Sequence, residues 1–224
     1  MSKQFWGVIA VILLIFAGVF VFGSNKSAAP GKTAGNSQLT EHIEGQGKSG
    51  VTLVEYGDYE CPYCAEYYPI VKQVVAEFNQ QIYFQFRNFP LVNIHQNAFA
   101  SARAAEAAGL EGKFWEMHDM LYDSSNWQQW STSSDPTPYF DQYAQEIGLN
   151  AAQFKQNFAS NKVNNLINAD MAEGNRLGIS GTPAFFLDGK QVKIAATVQD
   201  FEKVINAEIA KKTTAATNAS AASH

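Results

Sequence analysis

Cysteine is nearly absent from this chain. Its 224 residues hold only Cys61 and Cys64, separated by two residues. A framework of several disulfides is therefore excluded. So is an ordinary structural zinc site, which takes four tetrahedral ligands, because the four histidines (His42, His95, His118 and His224) are scattered. An excess of basic charge is also missing. The net charge of -5 leaves no electrostatic footprint for nucleic acid, so no nucleic-acid partner is expected. The acids Asp119, Asp123, Asp135 and Asp141 match no calcium-loop spacing and read as solvated side chains. No internal repeat is present.

Other absences are local. Phe5 to Phe22 is an apolar run of 18 residues without a charge. That is close to the ~20 residues that span a bilayer as a helix, and longer than the ~7–15 apolar residues of a cleaved signal peptide. We read 5–22 as a transmembrane anchor, with a signal sequence as the second choice, and 1–4 as its cytoplasmic end. No cysteine follows the run closely, which argues against lipid attachment there. Residues 23–49 almost lack large apolar side chains and are rich in Gly, Ser, Ala, Lys and Asn. They read as a flexible linker. Residues 212–224 hold Thr, Ala, Ser and Asn and read as a disordered tail. Between these segments, 50–211 is long enough and apolar enough for one well-cored domain.

The two cysteines organise that domain. The β-branched run Gly50–Tyr56 predicts a strand. Ile70, Val71, Val74, Val75 and Phe78 follow at helical spacing. Cys61 then falls at a helix N-cap and Pro62 at the first helical position, where its missing N–H costs nothing. Free first-turn N–H groups and the helix dipole favour a thiolate at such a position. We therefore expect Cys61 to be the attacking, solvent-facing sulfur and Cys64, one turn on, its buried partner. The negative charge of Glu60 acts mildly against a low Cys61 pKa. An inert structural clip explains the pair poorly, because so short a loop removes little unfolded-state entropy. A redox dithiol is the leading reading. Glu55 lies in the strand before it. It is either a buried proton acceptor for the inner thiol or a carboxylate on a solvent-facing strand position, and spacing leaves both open.

The rest of the pattern is α/β. Pro69 interrupts the first helix, and Gln81–Phe86 alternates as a second strand. From about 96 to 177 the pattern is helical, with Ser124 to Pro138 turn-like. Phe114, Trp115, Met117, His118 and Leu121 fall at core spacing, and His118 reads as a structural or surface histidine. Pro183–Leu187, Asp188-Gly189 and Gln191–Ala195 form a hairpin signal. Val198 to Lys211 reads as a last amphipathic helix.

In order along the chain, Cys61-Pro-Tyr-Cys64 after a strand, Pro69, and Gly181-Thr-Pro183 before a hairpin and a last helix resemble the thioredoxin fold. The helical block between the second strand and Pro183 resembles the insertion of its DsbA-like branch. Tyr56–Cys64, Phe86-Arg-Asn-Phe-Pro90, Phe114–Asp119 and Gly178–Phe186 are similar to that branch's membrane-tethered members of the BdbD kind. The resemblance covers about 50–211. It implies a thioredoxin fold with a helical insertion at about 96–177, a buried acid at Glu55 and a cis-proline at Pro183. It also implies a substrate surface made by Thr182, Pro62 and Tyr63, with an extended substrate segment pairing with the Thr182 backbone. The Pro-Tyr pair departs from the Pro-His of the best-known strong oxidants and also occurs in glutaredoxins.

The function this implies is an extracytoplasmic thiol–disulfide oxidoreductase, held at the cell membrane by a single pass, that introduces disulfides into translocated proteins. Its implied partners are reduced secreted or membrane proteins and a quinone-linked membrane oxidoreductase of the DsbB or VKOR type. No cofactor and no metal are expected. A reductase or isomerase of the same fold, or a non-catalytic tethered binding module, are the alternatives.

Overall fold

The structure, a computed structural model, describes residues 39–221. The anchor expected at 5–22 lies outside the described residues, as do most of the linker and residues 222–224. Among the described residues no helix is long and apolar enough to cross a membrane.

Five strands form one mixed sheet, β1 His42–Glu44, β2 Val51–Gly57, β3 Ile82–Asn88, β4 Ala184–Leu187 and β5 Lys190–Val192, in the order β1-β3-β2-β4-β5. Only β2 and β3 run parallel. A parallel pair needs a crossover, here helix α1, Pro62–Phe78. Six helices then intervene before β4. They are α2 Ala98–Gly109, α3 Phe114–Tyr122, α4 Ser124–Ser131, α5 Thr137–Glu146, α6 Ala151–Phe158 and α7 Asn161–Arg176. Helix α8, Val198–Ala221, closes the chain.

Alternation along β2 sends Val51, Leu53 and Glu55 to one face and Val54 and Tyr56 to the other. The first face meets Val71 and Val74 of α1, Phe201 and Ile205 of α8, and the buried helical block. The second is covered by Phe89, Ile179, Ala184 and Phe186. β2 is thus covered on both faces, as expected for a central strand beside a parallel neighbour. The β4–β5 turn is the expected one. Asp188 (φ 48°) and Gly189 (φ 78°) both sit in the left-handed region that a two-residue type I′ turn requires.

Four details differ from the sequence expectations. The linker expected through residue 49 ends earlier, because β1 pairs antiparallel with β3. His42 anchors it by stacking on Phe114, with centroids 3.4 Å apart, and by a 2.8 Å contact from its Nε2 to Glu106. The stretch after Ser124, expected to be turn-like, contains α4. Asp123 accepts the Ser125 N–H at its N-terminus, and Trp130 is buried. The alanine-rich stretch Ala98–Ala108 predicts a helix capped by Gly109, but Gly109 is the last residue of α2, and the left-handed glycine after it is Gly112 at φ 77°. The expected tail from 212 begins as helix, because α8 runs on to Ala221. Alanine favours helix there, and the hydroxyls of Thr213, Thr214 and Thr217 bond back to carbonyls four residues earlier.

Candidate active site

β2 ends at Gly57 and the chain turns through residues 58–61 into α1. Asp58, 1% exposed, shapes that turn. Its Oδ1 accepts the Glu60 N–H at 2.9 Å, an Asx turn. Its Oδ2 accepts the Leu91 N–H at 2.8 Å and lies 2.7 Å from His95 Nδ1. The carbonyl of Asp58 accepts the Cys61 N–H at 3.1 Å. Cys61 then takes the N-cap in an extended conformation, with Pro62 behind it and no side-chain cap. The orphan N–H groups of the first turn are left to the Cys61 sulfur.

Both cysteines are free thiols, and their surroundings set them apart. Cys61 is pulled down to about 6, chiefly by the hydrogen bond that Cys64 gives it. Burial opposes this, while Thr182 and the amides of Cys64 and Tyr63 add to the thiolate's support. Burial pushes the Cys64 thiol well up. Its donation to Cys61 and the negative charges of Glu55 and Cys61 add to that rise. The Asp58 N–H, 3.5 Å from Cys64 Sγ, is the one opposing influence among these. Glu60 turns its carboxylate to the Asn97 N–H, away from the role expected of it beside Cys61.

Cys61 does not face solvent freely. The residue is only 3% exposed, because its Sγ lies 3.4 Å from the carbonyl oxygen of Thr182. The Thr182–Pro183 peptide is cis. The Thr182 hydroxyl is buried and otherwise unpartnered. Pro62 and Tyr63 stand outside this contact, with Tyr63 66% exposed. The structure therefore brings Cys61, Cys64, Thr182 and Pro183 together and leaves Pro62 and Tyr63 as the accessible surface around them.

Glu55 is buried at 4% exposure. Its neighbours across the sheet are Phe86 on β3 and Phe185 on β4. Burial first, and then the negative charge of Cys61, raise its carboxyl to about 8. A carboxyl in that range can hold or release a proton near neutral pH beside a thiol that must do the same. The solvent-facing alternative fails because the opposite face of β2 is covered too.

Asp58 and His95 were not singled out in the sequence. The usable signal was the Asp58-x-Glu60 spacing at a strand end, which is an Asx-turn pattern. Among the described residues no cluster of His, Cys, Asp and Glu forms a metal site.

A five-stranded mixed sheet with six helices set between β3 and β4 is the thioredoxin fold with the helical insertion expected from the sequence, and Cys61 and Cys64 lie at the start of its crossover helix. Comparison with known proteins agrees. The thioredoxin family model matches residues 37–207, and the chain belongs to that family. A thioredoxin-like oxidoreductase from Silicibacter pomeroyi superposes with a TM-score of 0.62 at 25% identity, over 74% of this chain and 90% of that one. Oxidised BdbD from Bacillus subtilis superposes with a TM-score of 0.63 at 22% identity, over 78% of this chain and 94% of that one. In sequence the chain is 33% identical over 194 residues to a Na(+)/H(+) antiporter of the NhaA kind from Mycolicibacterium gilvum, covering 83% of this chain and 30% of the antiporter. The chain spans less than a third of the length of such curated relatives.

Proposed function

We propose that the protein is an extracytoplasmic disulfide donor. The observation that carries this reading is the asymmetry of the dithiol, a low-pKa Cys61 against a high-pKa, fully buried Cys64. A stabilised Cys61 thiolate stabilises the reduced protein and so makes its disulfide the stronger oxidant.

In the oxidised protein a substrate thiolate attacks the Cys61 sulfur. The Cys61–Cys64 bond breaks and Cys64 leaves, taking up a proton from Glu55. A second substrate thiolate attacks the substrate sulfur of the mixed disulfide, and Cys61 leaves as a thiolate. The substrate loses two electrons and the protein dithiol gains them. Thr182 offers backbone to an extended substrate segment, and Pro62 and Tyr63 are the surface that segment crosses. Reduced proteins outside the cytoplasm are the substrates, and a quinone-linked membrane partner of the DsbB or VKOR type restores the disulfide. Residues 5–22 anchor the domain, with 23 to about 39 as tether. An oxidising dithiol belongs outside the cytoplasm, where disulfides persist.

Equilibration with glutathione buffers tests the direction of electron flow. A potential near about -120 to -180 mV supports donation, and one near about -270 mV makes the protein a reductase. Cys61→Ser abolishes exchange on this reading, and Cys64→Ala accumulates substrate on Cys61. An active Cys61→Ser variant refutes it.

A further inference from the structure

A cleft runs from Glu55 toward the surface between α1, α3 and the sheet. Its volume of about 30 Å³ is room for about two waters, since one needs at least ~10–15 Å³. The buried polar atoms around it lack protein partners. Both ring nitrogens of His118 are unpartnered, and so are the Tyr59 and Tyr122 hydroxyls. These residues are 6%, 1% and 3% exposed. Orphaned buried polar groups are rare and costly, and ordered water is the usual remedy. The Tyr59 and Tyr122 rings pack 5.6 and 5.1 Å from His118, so these unpartnered groups gather beside the cleft, and water is the remedy it has room for.

The rings around His118 hold it but cannot satisfy it. Phe86, Tyr122 and Trp115 pack near-perpendicular to it, with centroids 4.9, 5.1 and 5.2 Å away. On its outer side His118 Nδ1 lies 3.6 Å from Asp119 Oδ1. That carboxylate also accepts the Tyr68 hydroxyl at 2.8 Å and pairs with Lys72 at 2.7 Å, both on α1. Lys72 and Asp119 are half-exposed, so this group is the mouth of the cleft. Glu44 of β1 also lines the cleft.

We propose that His118, working through water in this cleft, carries the Cys64 proton between Glu55 and solvent at the Asp119–Lys72 mouth. The inference rests on the exchange chemistry proposed above and adds the route that chemistry lacks. When the Cys61–Cys64 bond is broken by a thiolate, Cys64 takes its proton from Glu55. One proton then enters from solvent at the mouth, passes to one nitrogen of His118 while the other nitrogen releases one, and restores Glu55. Re-oxidation sends one proton back out. His118 is suited to the step because burial lowers its pKa and keeps the ring neutral, so that it accepts at one nitrogen and donates at the other. Asp119 is held at about 2: burial opposes this, but the His118 ring beside it and the bonds from Lys72 and Tyr68 outweigh it. The mouth therefore stays charged. Burial, followed by repulsion from Asp119, raises Glu44.

The test is reduction of the oxidised full-length chain by dithiothreitol, followed by Cys61 thiolate absorbance between pH 5 and 9. This reads the dithiol whatever its direction in the cell. Wild-type protein that fails to exchange refutes the proposed function. If it exchanges, His118→Ala is expected to slow reduction at least ~10-fold, less than the ~100-fold at the low end of direct general acid–base effects because His118 acts through water and Glu55. Added imidazole is expected to restore most of the rate. The Cys61 titration midpoint should stay near about 6. His118→Phe keeps the aromatic packing and is expected to be as slow, without rescue. A wild-type rate in either variant overturns the relay, and so does a slow His118→Ala variant that imidazole leaves unchanged.

Discussion

Glu55 shows how one side chain serves folding and chemistry in opposite directions. Its folded-state carboxyl titrates near 8 against an ordinary 4.5, because burial between Phe86 and Phe185 disfavours the charge. A raised acid stabilises the fold below its unfolded value and loses that contribution as pH rises through its folded value. At pH 7 the acid therefore costs about 3 kcal/mol, at ~1.4 kcal/mol per unit over the 2.5 units above 4.5. Glu55→Gln has no proton to manage. Urea denaturation should show the variant more stable by about 2–3 kcal/mol at pH 7 and nearly equal to wild type below pH 4.5. The same variant should reduce and re-oxidise more slowly. An unchanged pH dependence of stability would mean that Glu55 ionises freely.

Helix α7 must approach the second face of the sheet closely, and a glycine permits it. A Cβ on Gly174 would lie 2.5 Å from Phe89 Cδ2. Gly174→Ala has to move the Phe89 ring or the helix, a small-to-large change that costs about 1–3 kcal/mol. In calorimetry the midpoint should fall by roughly 2–4 °C per kcal/mol for a domain of this size. An unchanged midpoint would show that the ring adapts at no cost. The elements most legible in the sequence were those with their own chemical punctuation. The two cysteines fixed the strand–turn–helix of β2 and α1, and Asp188-Gly189 fixed the β4–β5 turn. β1 was illegible because three residues carry no period, and what holds them is distant in sequence: pairing with β3, and His42 on Phe114 and Glu106. α4 was hidden by a polar sequence whose contribution to the core is Trp130. Alternation could not choose a face for Glu55, since β2 is buried on both. His118 shared the stripe of Phe114 and Leu121, and helical spacing alone does not show that its ring nitrogens lack partners.

At the scale of the whole molecule, one carboxylate joins three parts of the chain. Asp170 of α7 is fully buried and accepts the Thr40 N–H at 3.1 Å, the Thr40 hydroxyl at 2.6 Å and the Asn88 N–H at 3.0 Å. Arg87 pairs with it at 3.2 Å. Asp170→Ala strands a nearly buried guanidinium and two buried N–H groups, a loss of about 3–5 kcal/mol. Hydrogen exchange should show the amides of β1 losing protection first. If protection there is unchanged, Asp170 is not what holds β1 to the helical block. The redox loop is joined to the helical block by a different bond. Trp127 of α4 donates its indole N–H to the carbonyl of Tyr59 at 2.7 Å, two residues before Cys61. That indole is thereby a built-in optical probe. Its emission should change when the dithiol closes, so fluorescence titration against glutathione would read the redox state of the unlabelled protein directly.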